Sequence, residues 1–250
     1  MKRRLKKGEY VLGTWGDIPS PTVFNILGAS GLDFAIIDME HGPFTMESAE
    51  NCVRALDSEN RSPIIRVPKN DEAYIVNALD VGAHGIIVPH VDSTKDVEDA
   101  ISSIKYHPVG KRGFTPYTRA GGYSKDNLEK HAETENKETM IILIIEGKKG
   151  IENLDKILEY KNIDVIYIGQ YDLSQAIGMP GKVQHPKVID FMKQNVDKIR
   201  DKGVAAGTLA HDLKELEMLK KLGFQFITYF VDCAVLYHSY NDIVKKFKSL

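Results

Sequence analysis

Short β-branched runs alternate with segments of helical period from one end of the chain to the other. The runs are VLGTW (11–15), FAIID (34–38), PIIRV (63–67), GIIVP (85–89), MIILIIE (140–146), DVIYIG (164–169), VAAGTL (204–209) and FQFITYF (224–230). Each is too apolar for a sheet with one wet face and fits a parallel strand covered on both sides. Between them, segments such as SAENCVRALDS, YIVNALDVG, DVEDAISSIKY, NLDKILEY, VIDFMKQNVDKIRDKG and LKELEMLKKLG repeat apolar residues at three- and four-residue steps. Several close on Gly, the usual helix stop. Eight strands with intervening helices in 250 residues predict an α/β fold of the (β/α)8 TIM barrel type, read as one domain over 1–250. A doubly wound open sheet is the competing arrangement, but no strand runs into a Gly-x-Gly-x-x-Gly turn. One connection stands apart. Residues 106–138, opening YHPVGKRGFTPYTRAGGYS, show no strand pattern and predict a long loop insertion, either a cover over substrate or a flexible excursion.

Composition narrows the partners. A hydrophobic share of 42% with 27% charged residues is ordinary for a soluble globular chain. A net charge of −2 provides no global field for nucleic acid or an anionic membrane. The basic start, MKRRLKK, leads into EYVLGTWGDIPS rather than an apolar signal core, so it is expected to be a solvated tail. No run of about 18 apolar residues is available to span a bilayer. Cys52 and Cys233 have neither metal-type spacing nor a disulfide framework, and a cytoplasmic setting is expected.

Barrel active sites gather at the carboxyl ends of the strands, so ionisable residues there carry the most information. FAIID ends in Asp38 and is followed by Glu40 and His41 in a Gly-Pro turn. PIIRV contains Arg66, MIILIIE ends in Glu146, DVIYIG is followed by Asp172, and the eighth run by Asp232. Singly, each has an ordinary explanation. An acid after a strand often caps a helix, as Asp172 would before LSQAIG. Arg66 suits a paired core arginine and His41 a turn histidine. Together they place more charge at one mouth than a fold can bury unless the groups pair or bind an ion. The residue types suit a division of labour. Glu146 and Asp172 offer carboxylates to a hard divalent cation, Arg66 a cation for a developing oxyanion, and His41 a proton carrier oriented by Asp38. Lys69 and Lys148, after strands three and five, keep a Schiff-base mechanism open. A small-acid binding protein using the same mouth is the non-catalytic alternative.

At these residues the chain resembles the HpcH/HpaI aldolases, metal-dependent class II pyruvate aldolases. The likeness runs through GTW, IDMEHGP, RVP, ALDVGAHGIIVPHV, YHPVGKRG, IEG, IYIGQYDLSQAIGMPG and QHPKV, nearly the whole chain. It implies cleavage or formation of a 4-hydroxy-2-oxo acid by way of pyruvate enolate and an aldehyde. His41 matches the catalytic base that works through water, with Asp38 its dyad partner. Arg66 matches the arginine on the keto oxygen of pyruvate, and Glu146 and Asp172 match the metal ligands, for Mg²⁺ or Mn²⁺ first and Co²⁺ or Zn²⁺ second. Gln170, Tyr171 and Asp172 lie where the backbone cradles the pyruvate carboxylate. Asp80 matches an acid that reaches a neighbouring subunit's site, its alternative being a solvated helix-end acid. The resemblance further implies a homohexamer, a trimer of dimers with exchanged C-terminal helices. Departures from the family pattern are Ile144 in place of Gln, Gln170 and Tyr171 in place of Pro and a small residue, Phe230 in place of Gly, and His90 in place of Met. They point to an altered pocket and acceptor. Related enzymes that condense the enolate with a 2-oxo acid or acyl-CoA, including a citrate-forming branch, are the alternative.

Overall fold

The computed structural model describes residues 1–125 and 127–250. Its strands are β1 (Val11–Gly16), β2 (Phe34–Asp38), β3 (Ser62–Arg66), β4 (Gly85–Val88), β5 (Met140–Ile145), β6 (Val165–Ile168), β7 (Ala205–Ala210) and β8 (Phe226–Val231). All pair in parallel with their sequence neighbours, and β8 closes the barrel on β1. The helices are α1 (Lys2–Lys6), α2 (Pro21–Ala29), α3 (Met46–Ser58), α4 (Glu72–Asp80), α5 (Thr94–Ile104), α6 (Leu128–Glu138), α7 (Lys148–Ile157), α8 (Gln170–Ala176), α9 (Pro186–Asp201), α10 (Leu213–Leu222) and α11 (Asp232–Lys248). The predicted TIM barrel is the observed fold.

The continuous apolar runs are explained by two cores. In β2, Ala35 and Ile37 join the layer between sheet and helices, whereas Phe34 and Ile36 point into the barrel. Phe34 stacks on Phe226 across the interior at a centroid distance of 4.2 Å. Both faces of the strand are therefore dry, so no alternation with polar residues survives. Local signals set the helix ends. Thr45 and Ser93 form capping boxes at the starts of α3 and α5, and Gly223 ends α10 with φ 98°.

Two expectations need correction. The basic start is not a solvated tail but α1, which closes the N-terminal end of the barrel. Leu5 is buried with the interior cluster, and Met1, four residues before it, packs against the same cluster. Lys2 is also buried; its Nζ donates to the Thr139 carbonyl at 3.1 Å and pairs with Asp164 at 3.0 Å. The second correction concerns residues 106–138, whose last third is helix α6, started by an Asn127 cap on the Glu129 N–H. Its polar sequence, with His131 its buried residue, hides the helical period. The connection as a whole leads from α5 to β5, so its described residues lie at the N-terminal end of the barrel. Arg119 reaches Asp57 at the end of α3 (2.6 Å) and Arg112 reaches Asp80 at the end of α4 (2.8 Å). Within one chain this loop cannot cover the opposite mouth.

Along α11, Tyr237, Tyr240, Ile243 and Phe247 are exposed, and a single chain leaves this apolar face uncovered. Among the described residues, no helix is long and apolar enough to cross a membrane.

Candidate active site

A cavity of about 300 Å³ opens at the carboxyl ends of the strands, and Asp38, His41, Arg66, Glu146, Gln170, Tyr171 and Asp172 all line it. A larger groove, about 970 Å³, lies at the other end of the barrel beside Lys2, Arg200 and Asp201 and contains none of these residues. Size therefore does not mark the site; chemistry does.

Arg66 is the centre of the arrangement. Register places it directly across from Asp38, and its Nε donates to Asp38 Oδ1 at 2.8 Å while Nη2 donates to Oδ2. Nη1 lies 3.0 Å from Glu40 Oε2. The guanidinium rests 4.4 Å from the ring centroid of Trp15, whose Nε1–H lies 3.0 Å from both the Tyr167 and Thr228 hydroxyls. Burial works against the Arg66 charge, but the carboxylates outweigh it and raise its pKa further. A fixed, partly dry cation with two carboxylate partners is suited to receive a transient oxyanion.

The expected Asp38–His41 dyad is not formed. Asp38 Oδ1 accepts from the backbone N–H groups of Glu40 (3.0 Å) and His41 (3.3 Å), besides Arg66. The bidentate guanidinium directly across the sheet occupies the carboxylate, so Asp38 shapes the turn without reaching the imidazole. The His41 ring has no hydrogen-bond partner among the described residues. It stands at the cavity as a free imidazole, with Asp38 a positioning residue behind it.

Glu146 follows β5 and is buried at the cavity wall. Its Oε1 accepts from the His90 backbone N–H at 2.9 Å and lies 2.9 Å from His90 Nδ1. His90 Nε2 is 2.9 Å from Glu40 Oε1, so this imidazole bridges two carboxylates. It does so in the left-handed region, φ 54°, a conformation costly for any residue with a Cβ. Burial pushes the Glu146 carboxyl above its ordinary range against the lowering His90 contacts, and the charges of Asp172 and Glu40 add to the rise. Glu40 was legible as part of the DMEH run but had no assigned role. Its double contact with Arg66 and His90 makes it a structural member of the site.

Asp172 sits in the first turn of α8. That helix has Gly169 as N-cap with no side-chain cap, leaving its first N–H groups free at the cavity rim. A Cβ at Gly169 would stand 2.8 Å from Glu146 Oε2, so the glycine lets the turn pass against the carboxylate. The Gln170 side chain turns away, donating to Thr208 Oγ1 (3.2 Å) and the Leu209 carbonyl (3.0 Å). Its Oε1 is buried and unpartnered among the described residues. Any substrate contact from its nitrogen is thereby excluded in this arrangement.

These residues fit a hard divalent cation. Burial and the neighbouring Asp172 charge disfavour the Glu146 anion, so a cation held between the two carboxylates would relieve it. Among the described residues no cluster of three or more His, Cys, Asp and Glu forms a complete metal cage. Mg²⁺-type ions need none, since they take one or two carboxylates and fill their shell with water and substrate oxygens.

Asp17, just beyond β1, lines the same cavity and has no counterpart in the sequence reading. Its backbone N–H and that of Ile18 bond Asp232, which thus holds the β1 exit rather than entering the site. Burial, then the charges of Asp38 and Asp232, push the Asp17 carboxyl up to about 6, against Arg66 and His41. A carboxyl raised by folding contributes stability that is full below its unfolded pKa, near 4, and lost as pH rises through 6. Asp17→Asn is therefore expected to stabilise the protein at pH 8 but not at pH 4. Because the group is half exposed, solvent screening limits the gain to about 1 kcal/mol. Thermal melts of both proteins across this range check it; parallel curves would contradict the assignment.

The lysines do not support a Schiff base. Lys69 and Lys148 are exposed and do not line the cavity; Lys69 pairs with Asp71 at 3.2 Å. Burial and the Lys2 charge lower Lys105 to about 7, but it sits at the N-terminal end of the barrel, bonded to the Thr139 carbonyl at 2.7 Å. Asp80 likewise lies away from the cavity, paired with Arg112.

Comparison with known proteins identifies relatives along the whole chain. The chain is 32% identical over 248 residues to the hydroxypyruvate/pyruvate aldolase of Roseobacter denitrificans, covering 99% of this chain and 96% of that protein. It is 32% identical over 249 residues to the 2-keto-3-deoxy-L-rhamnonate aldolase of Klebsiella pneumoniae, covering 99% and 92%. The crystal structure of an HpcH/HpaI aldolase from Desulfitobacterium hafniense superposes with a TM-score of 0.95 at 28% identity, over 100% of this chain and 97% of that one. The profile of the HpcH/HpaI aldolase/citrate lyase family matches residues 12–239, and the chain belongs to that family.

Proposed function

We propose that this protein is a class II pyruvate aldolase, a carbon–carbon lyase that cleaves a 4-hydroxy-2-oxo acid to pyruvate and an aldehyde, or runs that addition in reverse. The observation that carries the reading is the convergence of Glu146, Asp172, Arg66 and His41 on one cavity at the strand ends. Glu146 and Asp172 would hold Mg²⁺ or Mn²⁺, with Co²⁺ or Zn²⁺ as substitutes. A divalent cation bound there supplies Lewis-acid polarisation of the 2-oxo carbonyl.

The chain's own residues do the rest. Free N–H groups at the start of α8, around Tyr171 and Asp172, receive the substrate carboxylate. His41 takes the 4-hydroxyl proton, directly or through one water, and the electron pair left on that oxygen forms the second bond of the aldehyde carbonyl. The C3–C4 bond breaks, its electron pair becomes the C2=C3 double bond, and the carbonyl π pair moves onto the 2-oxo oxygen as an enolate. Arg66 faces that oxygen with a charge already fixed by Asp38 and Glu40, so little reorganisation is needed. Protonation at C3 then gives pyruvate.

The exposed apolar face of α11 supports a homo-oligomer, proposed as a hexamer of three dimers with exchanged C-terminal helices. Asp80, now paired with Arg112, is the proposed contribution to a neighbouring subunit's site. The free Cys52 and Cys233 are in keeping with a cytoplasmic enzyme.

The test is pyruvate release from a panel of 4-hydroxy-2-oxo acids. EDTA is expected to abolish release and Mg²⁺ or Mn²⁺ to restore it. Release indifferent to EDTA, or borohydride trapping of a lysine adduct with pyruvate, would overturn the proposal. In the reverse direction, preference for a 2-oxo acid or acyl-CoA over every aldehyde would place the protein with the citrate-forming enzymes instead.

A further inference from the structure

One wall of the cavity continues into a polar chain that the mechanism above does not use. The Tyr171 hydroxyl lies 3.0 Å from His211 Nε2, and His211 Nδ1 lies 2.8 Å from Glu215 Oε2. Glu215 is buried in the first turn of α10, and its Oε2 also accepts from the His211 backbone N–H at 2.8 Å. Its Oε1 accepts from Gln184 Nε2 at 2.8 Å. Burial alone would raise this carboxyl, but the His211 contacts and Gln184 outweigh it and hold Glu215 below its ordinary range. An ionised carboxylate only accepts hydrogen bonds, so Nδ1 of His211 must be the donor. In the neutral imidazole this is the Nδ1–H tautomer, whose Nε2 lone pair accepts the proton of the Tyr171 hydroxyl. The phenol proton is thereby committed away from the cavity, leaving its oxygen lone pairs available there.

Aromatic packing fixes the same geometry. His211 meets Tyr171 edge to face at 5.6 Å and Phe230 at 6.0 Å, and Phe230 meets His238 at 5.5 Å. Phe230 holds this place with φ 52°, an unfavourable conformation for a bulky side chain. Tyr171 and Phe230, two departures from the family pattern, thus meet on one imidazole.

We propose that Tyr171, aligned by His211 and Glu215, is a hydrogen-bond acceptor for a hydroxyl group of the aldehyde, so that the enzyme prefers hydroxyaldehydes to aldehydes of the same shape without that hydroxyl. The inference rests on the aldolase reading and concerns only the acceptor. A site arranged to bond a substrate hydroxyl discriminates against the analogue lacking it, because a polar group is left unpaired. Tyr171 is 53% exposed, so water relieves part of that penalty and the discrimination is modest.

The experiment compares addition of pyruvate to glycolaldehyde and to propionaldehyde, two acceptors of nearly equal size, using the full-length, metal-loaded protein. Wild type is expected to favour glycolaldehyde in kcat/KM by about 10-fold. Tyr171→Phe is expected to bring that ratio near 1. His211→Phe, which leaves the phenol in place but removes its partner, is expected to lower the ratio too, and the double variant to go no lower than Tyr171→Phe. A merely structural loss would reduce both acceptors alike and leave the ratio unmoved. An unmoved ratio in Tyr171→Phe, or a wild-type ratio near 1, would overturn the inference while leaving the aldolase reading standing. Wild type that adds pyruvate to neither aldehyde and exchanges no C3 proton of pyruvate with deuterated water would overturn both.

Discussion

Replacing His41 with alanine is expected to lower kcat for C3–C4 cleavage by about 10³-fold, the scale of a lost general base. Pyruvate affinity should stay within about 2-fold, because the carboxylate and enolate oxygen are received by other groups. The prediction is clean because the His41 ring has no hydrogen-bond partner among the described residues, so its removal strands no buried group. The fold should accordingly lose less than about 1 kcal/mol. Steady-state pyruvate release and calorimetric pyruvate binding, on the same preparation, separate the two effects. A protein that only binds small acids would lose neither. Unchanged turnover in His41→Ala would remove this residue from the mechanism.

Glu146→Gln and Asp172→Asn are each expected to reduce activity by at least about 10³-fold, with the loss not recovered at high substrate. The effect of Glu146→Gln on stability should be opposite to that of breaking an ordinary ion pair. Burial disfavours the Glu146 anion, and Asp172 and Glu40 add repulsion. The isosteric amide removes that unfavourable charge and still accepts the His90 N–H bond. Melting of metal-free Glu146→Gln at or above the wild-type temperature, with activity gone, is the expected pair of results. A melting temperature several degrees below wild type would mean that Glu146 serves the fold rather than the cation.

The barrel was legible because each strand is buried on both faces and reads as a continuous β-branched run. FAIID, predicted over 34–38, is the observed β2, and the other strand ends lie within about two residues of their predicted limits, the usual uncertainty of such boundaries. α1 and α6 were not legible, since one rests on Met1 and Leu5 amid five cationic residues and the other carries little apolar surface. Glu146, Asp172, Arg66 and His41 could be found as ionisable residues at strand ends, because closure of the barrel brings those ends together. Partner choice could not. Asp38 bonds Arg66 rather than the His41 ring because β2 and β3 pair in a register that sets the two directly across from each other, a relation absent from local sequence. Asp17 gave the same signal as the others, a charge one step beyond an apolar strand. His211 and Glu215, four apart at the start of α10, have the spacing of a helical pair but no neighbouring motif to single them out.

The claim beneath all of this is that Glu146 and Asp172 share one cation at the mouth of the barrel. Titration with Mn²⁺, followed by electron paramagnetic resonance, tests it most directly. Wild type is expected to bind one Mn²⁺ per chain, with pyruvate perturbing the bound spectrum, and Glu146→Gln and Asp172→Asn are each expected to weaken binding by at least about 100-fold. Mn²⁺ bound equally well by both variants, with pyruvate leaving its spectrum unchanged, would contradict the account.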